Sequence, residues 1–211
     1  MTHDSCEDDF PSHIVATRAH GGVNMANAEV RTPEDPIVAH IVGGRHREAT
    51  ALCAREHGAA LGRLCMAMLG SQGEAEEVAQ DVLIAAHGAM ASFRFEGSVR
   101  AWLFGIARRV CAKRIAKRAR RSQLLHLVHD ADTAALGPHD LVARREAARK
   151  VRGALERLKP TEREALLLRY QAGLGFREVA EACGIEEAAA RKRASRGLAA
   201  LRKILDPEVM Q

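Results

Sequence analysis

An all-α chain of two small helical domains joined by a flexible linker is the fold class the sequence predicts, on three observations. The apolar content is mostly Ala, Leu and Val, and aromatics make up only 3% of the 211 residues; Ala, Leu, Arg and Glu favour helices, whereas strands draw on β-branched and aromatic side chains. Apolar positions recur three and four residues apart over long stretches. That periodicity fades between residues 122 and 140 and resumes afterwards, which divides a chain of this length into two domains.

Residues 1–45 are taken as a flexible acidic extension. The first 35 lack apolar periodicity and contain Pro11, Gly21, Gly22 and Pro33. Met25 opens a more ordinary stretch and is an alternative translation start. A first helix is expected from about Glu48 to Leu69, with Leu52, Ala59, Leu61, Leu64, Cys65 and Met68 inward and Gly70 as its stop. A second runs from Gln72 to about Ala91, with Glu74, Glu76 and Glu77 early, where the helix dipole favours acids, and a stripe of Val78, Val82, Leu83 and Ala86. Ser98 caps a third, through Trp102, Leu103, Ile106, Ala107 and Val110 to Arg120. Residues 122–140 form the linker. Leu141–Leu158 is helical again, and Pro160-Thr161 opens a helix in which Thr161 and Glu164 stand at capping-box spacing. Gly173 and Gly175 interrupt the pattern, Phe176–Cys183 makes a short helix, Gly184 turns, and Glu186–Leu205 is the last helix, followed by a tail at 207–211.

Charge is unevenly distributed. The net charge is +5, yet residues 1–45 hold seven acids and three bases, so the excess of bases lies in residues 46–211. A basic field attracts nucleic acid, an anionic membrane or an acidic partner. No apolar run approaches the roughly 18–20 residues that span a bilayer, so no membrane insertion is expected. The N-terminus is acidic where a secretory signal would be basic and apolar. The five cysteines are odd in number and form no CxxC pair, which suits reduced thiols and a cytoplasmic protein. Neither a Gly-rich phosphate loop, a Ser nucleophile motif nor HExxH is present, so an enzyme is not expected, and no catalytic residues or cofactors are assigned.

Three constellations bear on function. Ala180, Gly184 and Ile185 stand where a helix-turn-helix needs a small residue, a turn glycine and an apolar residue. The following helix carries Arg191, Lys192, Ser195 and Arg196, which suit phosphate contacts and the reading of guanine edges; a plain helical hairpin with a solvated basic face is the competing reading. Ala190 and Ala194 fall where larger apolar anchors are usual, so looser packing of this helix is expected. Four of the seven aromatics, Phe93, Phe95, Trp102 and Phe104, fall within twelve residues, and residues 108–121 then hold eight bases and no acid. Aromatic faces stack unpaired bases while a basic track holds the backbone; core packing competes for Trp102 and Phe104. The third is the acidic helix holding Glu74, Glu76, Glu77, Gln80 and Asp81.

In this order the segments resemble the sigma subunits of bacterial RNA polymerase, in particular the extracytoplasmic-function (ECF) group. GEAEEVAQDVLIAAHGAMASF resembles the polymerase-binding helix of sigma domain 2, FEGSVRAWLFGIARRVCAKRIAKRARR the promoter-melting segment, and ALERLKPTEREALLLRYQAGLGFREVAEACGI with EEAAARKRASRGLAALRKIL the helix-turn-helix of sigma domain 4. The resemblance implies sigma domain 2 over 46–121 and sigma domain 4 over 141–206. It implies polymerase binding through Glu77, Gln80 and Asp81. It implies minus-ten recognition and melted-strand contacts through Arg94, Phe95, Ser98, Arg100, Trp102, Arg108, Arg109, Lys113 and Arg114, and minus-thirty-five recognition through Arg191, Lys192, Ser195 and Arg196. Core RNA polymerase, promoter DNA and an anti-sigma factor are the implied partners. Arg109 and Lys113 stand where members commonly have Asn and Asp or Asn, Ala188-Ala189-Ala190 where Gly-Thr-Val is common, and His87 where an aromatic is usual. The expected function is promoter-specific initiation without catalysis of its own, with a free-standing helix-turn-helix regulator as the alternative. Cys53 and His57 share a helical face, with His46 and Cys65 further off, but the spacing lacks the tight pairs of a zinc site, and no metal is assigned.

Overall fold

The computed structural model describes residues 35–125 and 149–205. The extension before residue 35, Met25, most of the linker, the start of the helix expected from Leu141 and the tail lie outside them. Among the described residues every regular element is helical, and no helix is long and apolar enough to cross a membrane.

Helix α1 (Pro36–Val42) corrects the boundary expected at residue 45. Asp35 accepts the Ile37 amide at 2.8 Å, Pro36 takes the first turn, where its missing N–H is harmless, and Ile37 and Ile41 are buried against α2. The extension's acidic composition hid a helix of about two turns held by two isoleucines. Helix α2 (His46–Leu69) buries Ala49, Cys53, Leu61, Leu64, Cys65, Met68 and Leu69 and stops at Gly70, whose amide bonds the Met66 carbonyl. Two more carbonyls at this end are closed from outside, Leu69 by Arg118 Nη1 at 3.2 Å and Gly70 by Arg152 Nη1 at 3.0 Å. Helix α3 (Gln72–Ala89) is capped by Ser71 and turns Ala75, Val78, Val82 and Ala86 onto α2 and α4. A 3₁₀ turn (Met90–Ser92) follows. Helix α4 (Val99–Leu125) begins where expected, the Ser98 hydroxyl accepting the Ala101 amide at 3.0 Å, and continues a turn past Arg120.

The second half comprises α5 (residues 149–156), α6 (Pro160–Tyr170), α7 (Phe176–Cys183) and α8 (Glu187–Leu205). The expected capping box at Thr161 is not made: Lys159 is the cap residue and no side chain bonds the α6 N-terminus. Pro160 at the first helical position shifts the helix start by two residues, and Glu164 is turned toward α4 instead. The reciprocal bond appears at α7, where the Gly175 amide donates to Glu178 Oε2 at 2.8 Å. Four consecutive residues of α6, Ala165 to Leu168, are buried, so this helix has neighbours all round.

The packing of α8 also differs from expectation. Ala190, Ala194 and Gly197 are buried on one face against α6, and a Cβ at Gly197 would lie 2.9 Å from Leu166 Cδ1 and 3.2 Å from the Glu162 carbonyl. Small residues bring the two backbones close instead of loosening them. The same device joins the halves of the molecule: Gly105 of α4 faces the Ala182 carbonyl of α7, 3.2 Å from where a Cβ would stand. One apolar cluster runs through both helical groups, from Ile37 and Leu61 to Leu174 and Ala194.

Candidate nucleic-acid and polymerase interfaces

The loop before α4 gathers the aromatics. Phe93 is buried and packs edge-on against Phe95 and tilted against Trp102, both with ring centroids 5.0 Å away. Phe95 is 49% exposed. Its backbone sits at φ +57°, the one non-glycine left-handed conformation among the described residues. A bulky L-residue there stores roughly 1–2 kcal/mol, so the fold holds an exposed ring in a strained position against Phe93, which Trp102 backs in turn. Arg94 beside it is exposed, Trp102 half-buried, and Phe104 fully buried in the core.

The basic residues that follow face three ways. Arg100 donates through Nη2 to the Ala172 carbonyl at 2.8 Å and pairs with Glu178 at 3.4 Å. Arg108 pairs with Glu164 at 3.0 Å, while its Nε is buried without a hydrogen-bond partner. Ser98 donates its amide to Glu181 Oε2 at 3.1 Å and its hydroxyl to Glu178 Oε1 at 3.4 Å. Carboxylates from α6 and α7 therefore occupy the N-terminus of α4 and two of its guanidiniums, the arrangement a phosphate would take. Arg114 instead faces α3, 2.9 Å from Glu77 and 3.9 Å from Asp81, and the bond it donates to Glu77 raises its pKa above the ordinary arginine value. Burial, with Arg108 beside it, lowers that of Arg109. Lys113, Lys117, Arg118, Arg120 and Arg121 are exposed.

On α3, Glu77, Gln80 and Asp81 are exposed on one face. Ile84 extends that face by one turn and is 68% exposed, the most exposed large apolar side chain described. The expectation from sequence omitted it; its offset from the Val78, Val82, Ala86 stripe was the available signal.

On α8, Arg191, Lys192, Ser195 and Arg196 are all exposed on the side opposite Ala190, Ala194 and Gly197. Arg191 pairs with Glu187 on the same helix, and its guanidinium carbon lies 4.7 Å from the centre of the Phe176 ring. Arg169 stands 5.1 Å from the same ring. Neither Glu187 nor Phe176 was anticipated from sequence.

The cysteines and histidines do not gather into a ligand set: among the described residues no three His, Cys, Asp or Glu side chains could hold a metal ion. Burial, reinforced by Asp35 and Glu56, pushes the Cys53 thiol up to about 11, and burial lowers His57. Cys65 and Cys111 meet inside the core with their sulfurs 3.8 Å apart, and the hydrogen bond to Cys65, with burial, raises the pKa of the Cys111 thiol.

The Sigma-70 region 2 family model matches residues 53–121, which span α2 to α4, and the Sigma-70 region 4 model matches 148–201, which span α5 to α8. The chain is 32% identical over 149 residues to the ECF RNA polymerase sigma factor SigC of Mycobacterium tuberculosis (strain CDC 1551 / Oshkosh), an alignment that takes in 68% of this chain and 76% of SigC. Its fold is similar to that of CnrH in complex with the cytosolic domain of CnrY, with a TM-score of 0.61, 25% identity and coverage of 81% of this chain and 96% of CnrH. The sigma factor RpoE of Bartonella quintana, in complex with the anti-sigma factor NepR, gives a TM-score of 0.57 at 25% identity over 77% of this chain and 97% of RpoE.

Proposed function

The chain belongs to the ECF sigma factors and directs RNA polymerase to promoters, and we propose that it does so through three surfaces whose residues divide the work of binding, melting and upstream recognition. Residues 46–121, with α1 packed on them, would serve as the polymerase-binding and melting domain, residues 141–206 as the upstream reader, and 122–140 as the connection. Glu77, Gln80 and Asp81, with Ile84 as an apolar anchor, bind the core polymerase. Phe95, held by Phe93, which Trp102 backs, stacks on a base drawn out of the minus-ten element. Arg94, Ser98 and Arg100 hold the neighbouring backbone, and Arg108, Arg109, Lys113 and Arg114 line the path of the melted strand. Arg191, Lys192, Ser195 and Arg196 enter the major groove of the minus-thirty-five element.

The observation that carries this division is the strained, exposed Phe95 ring at the head of a basic helix, in one chain with an exposed arginine face on the second helix of a helix-turn-helix. A free-standing regulator has no use for the first of these, and the region 2 match does not favour it. The protein acts in the cytoplasm as a non-catalytic initiation subunit. RpoE is crystallised with an anti-sigma factor, and a partner of the same kind would hold this chain silent. Run-off transcription with core polymerase tests the reading: a promoter-specific product is expected on at least one candidate template, its own gene's promoter included, and none on any template would overturn it.

A further inference from the structure

We infer that Phe176 and Glu187 are positioning residues that hold the Arg191 guanidinium for a guanine of the upstream element. The inference rests on the proposed placement of α8 in the major groove and adds which base its first arginine reads, and how.

A guanidinium has two flat faces, a lateral edge formed by Nε and one Nη, and an end-on fork formed by the two Nη groups. In this structure Phe176 lies against one face, 4.7 Å from the central carbon. Glu187 Oε1 takes the lateral edge, accepting from Nε at 3.1 Å and from Nη2. What these partners leave is the end-on fork, which matches the O6 and N7 acceptors of guanine. A free arginine on a helix surface spreads over many rotamers, and holding it in one reduces the entropy lost when it docks. The support is itself fixed: Phe176 is the first residue of α7, half-buried, and its ring also faces Arg169, whose Nη1 donates to the Leu174 carbonyl at 2.9 Å. The aromatic comes from the helix that precedes the turn and the carboxylate from the first turn of the reading helix, so the geometry is made by the helix-turn-helix as a unit. Among the described residues, Lys192, Ser195 and Arg196 have no such frame, which leaves them suited to phosphates and to bases that tolerate adjustment.

The experiment is selection of upstream elements from a randomised promoter pool by the complete holoenzyme, read by sequencing the transcripts, for the wild-type chain and the variants Arg191→Ala, Glu187→Gln, Phe176→Leu and Phe176→Tyr. Wild type is expected to select a guanine at one upstream position. Glu187→Gln and Phe176→Leu should each lower that preference by roughly ten-fold, while total output on a promoter of matched strength and the salt dependence of binding stay near wild type, because phosphate contacts are untouched. Phe176→Tyr keeps the stacked ring and should restore the preference, which a merely structural effect of losing Phe176 would not explain. If Arg191→Ala abolishes the guanine preference but Glu187→Gln and Phe176→Leu leave it intact, the positioning role is overturned and the groove assignment of α8 stands. If Arg191→Ala leaves the selected element unchanged, both are overturned.

Discussion

Opening the interface between the two helical groups is the sharpest test of how this chain is built. The perturbation is the double substitution Glu164→Gln with Glu178→Gln, which removes two negative charges from the second half while retaining shape, and retains an acceptor for the Gly175 amide that Glu178 caps. The affected pairs are Arg108 with Glu164 at 3.0 Å and Arg100 with Glu178 at 3.4 Å, the four side chains being 15–33% exposed. Coulomb attraction at these distances amounts to about 5 kcal/mol per pair at an effective dielectric of roughly 20. Desolvation and the ordering of long side chains offset most of it, leaving about 1 kcal/mol each for partly exposed pairs. Two pairs contribute about 2 kcal/mol, or near 30-fold in the equilibrium between closed and open arrangements. The assay is native-state hydrogen exchange at the Ser98 amide, which donates to Glu181 across the interface. Exchange there should accelerate about 30-fold while amides in the middle of α2 keep wild-type rates. Unchanged exchange at Ser98 would refute the reasoning, and so would equal acceleration everywhere, since the pairs would then stabilise the whole fold instead of the interface.

Three further outcomes follow from other features. Gly197→Val puts side-chain atoms where a Cβ already meets Leu166 and the Glu162 carbonyl; a loss of about 2 kcal/mol is expected from overpacking, read as a lower urea midpoint, and an unchanged or higher midpoint would show that α8 does not lie so close to α6. Phe95→Gly relieves the left-handed strain while losing the ring contact to Phe93, two effects of about 1 kcal/mol each that nearly cancel, so the melting temperature should stay within a few degrees while permanganate reactivity of promoter thymines falls sharply; retained promoter opening would remove Phe95 from the melting surface. Burial lowers the His57 pKa below its unfolded value of 6.5, so the unfolded chain binds the extra proton first and stability, complete above about pH 6.5, declines as pH falls through the interval down to the folded value. Thermal melts of wild type and His57→Gln between pH 7.5 and 5 should converge or cross on the acid side, and parallel curves would exclude His57 as the cause.

The helices from α2 onward were legible because each follows from a local rule. Gly70 stops α2, Ser98 caps α4, and the Ala180, Gly184, Ile185 spacing announces the turn between α7 and α8. The exposure of Arg191, Lys192, Ser195 and Arg196 on one side of α8 follows from helical periodicity. What stayed hidden depends on tertiary neighbours. Helix α1 is too short and its surroundings too acidic to carry a periodic signal, and the contact of Ile37 and Ile41 with α2 is a tertiary one. Thr161 and Glu164 had the spacing of a cap, but Arg108 from α4 competes for Glu164. The eight bases of residues 108–121 read as one track, whereas their partners lie on three different helices. Ala190 and Ala194 looked like missing anchors because composition alone does not say how near α6 would come.

That nearness sets how far α8 reaches toward the groove proposed for it. With the small residues Ala190, Ala194 and Gly197 as the fully buried residues of α8, the axis of α8 is drawn back toward the body of the domain, and its backbone protrudes less than one propped up there by Val or Leu. A helix seated this deeply favours long side chains on the face proposed to meet the groove, and three of its four residues there, Arg191, Lys192 and Arg196, are arginine or lysine. Shortening any of them by even one or two bonds would leave a gap that water fills, and lengthening the small residues behind would push the whole reading surface outward, changing which bases lie within range without altering a single residue that touches them.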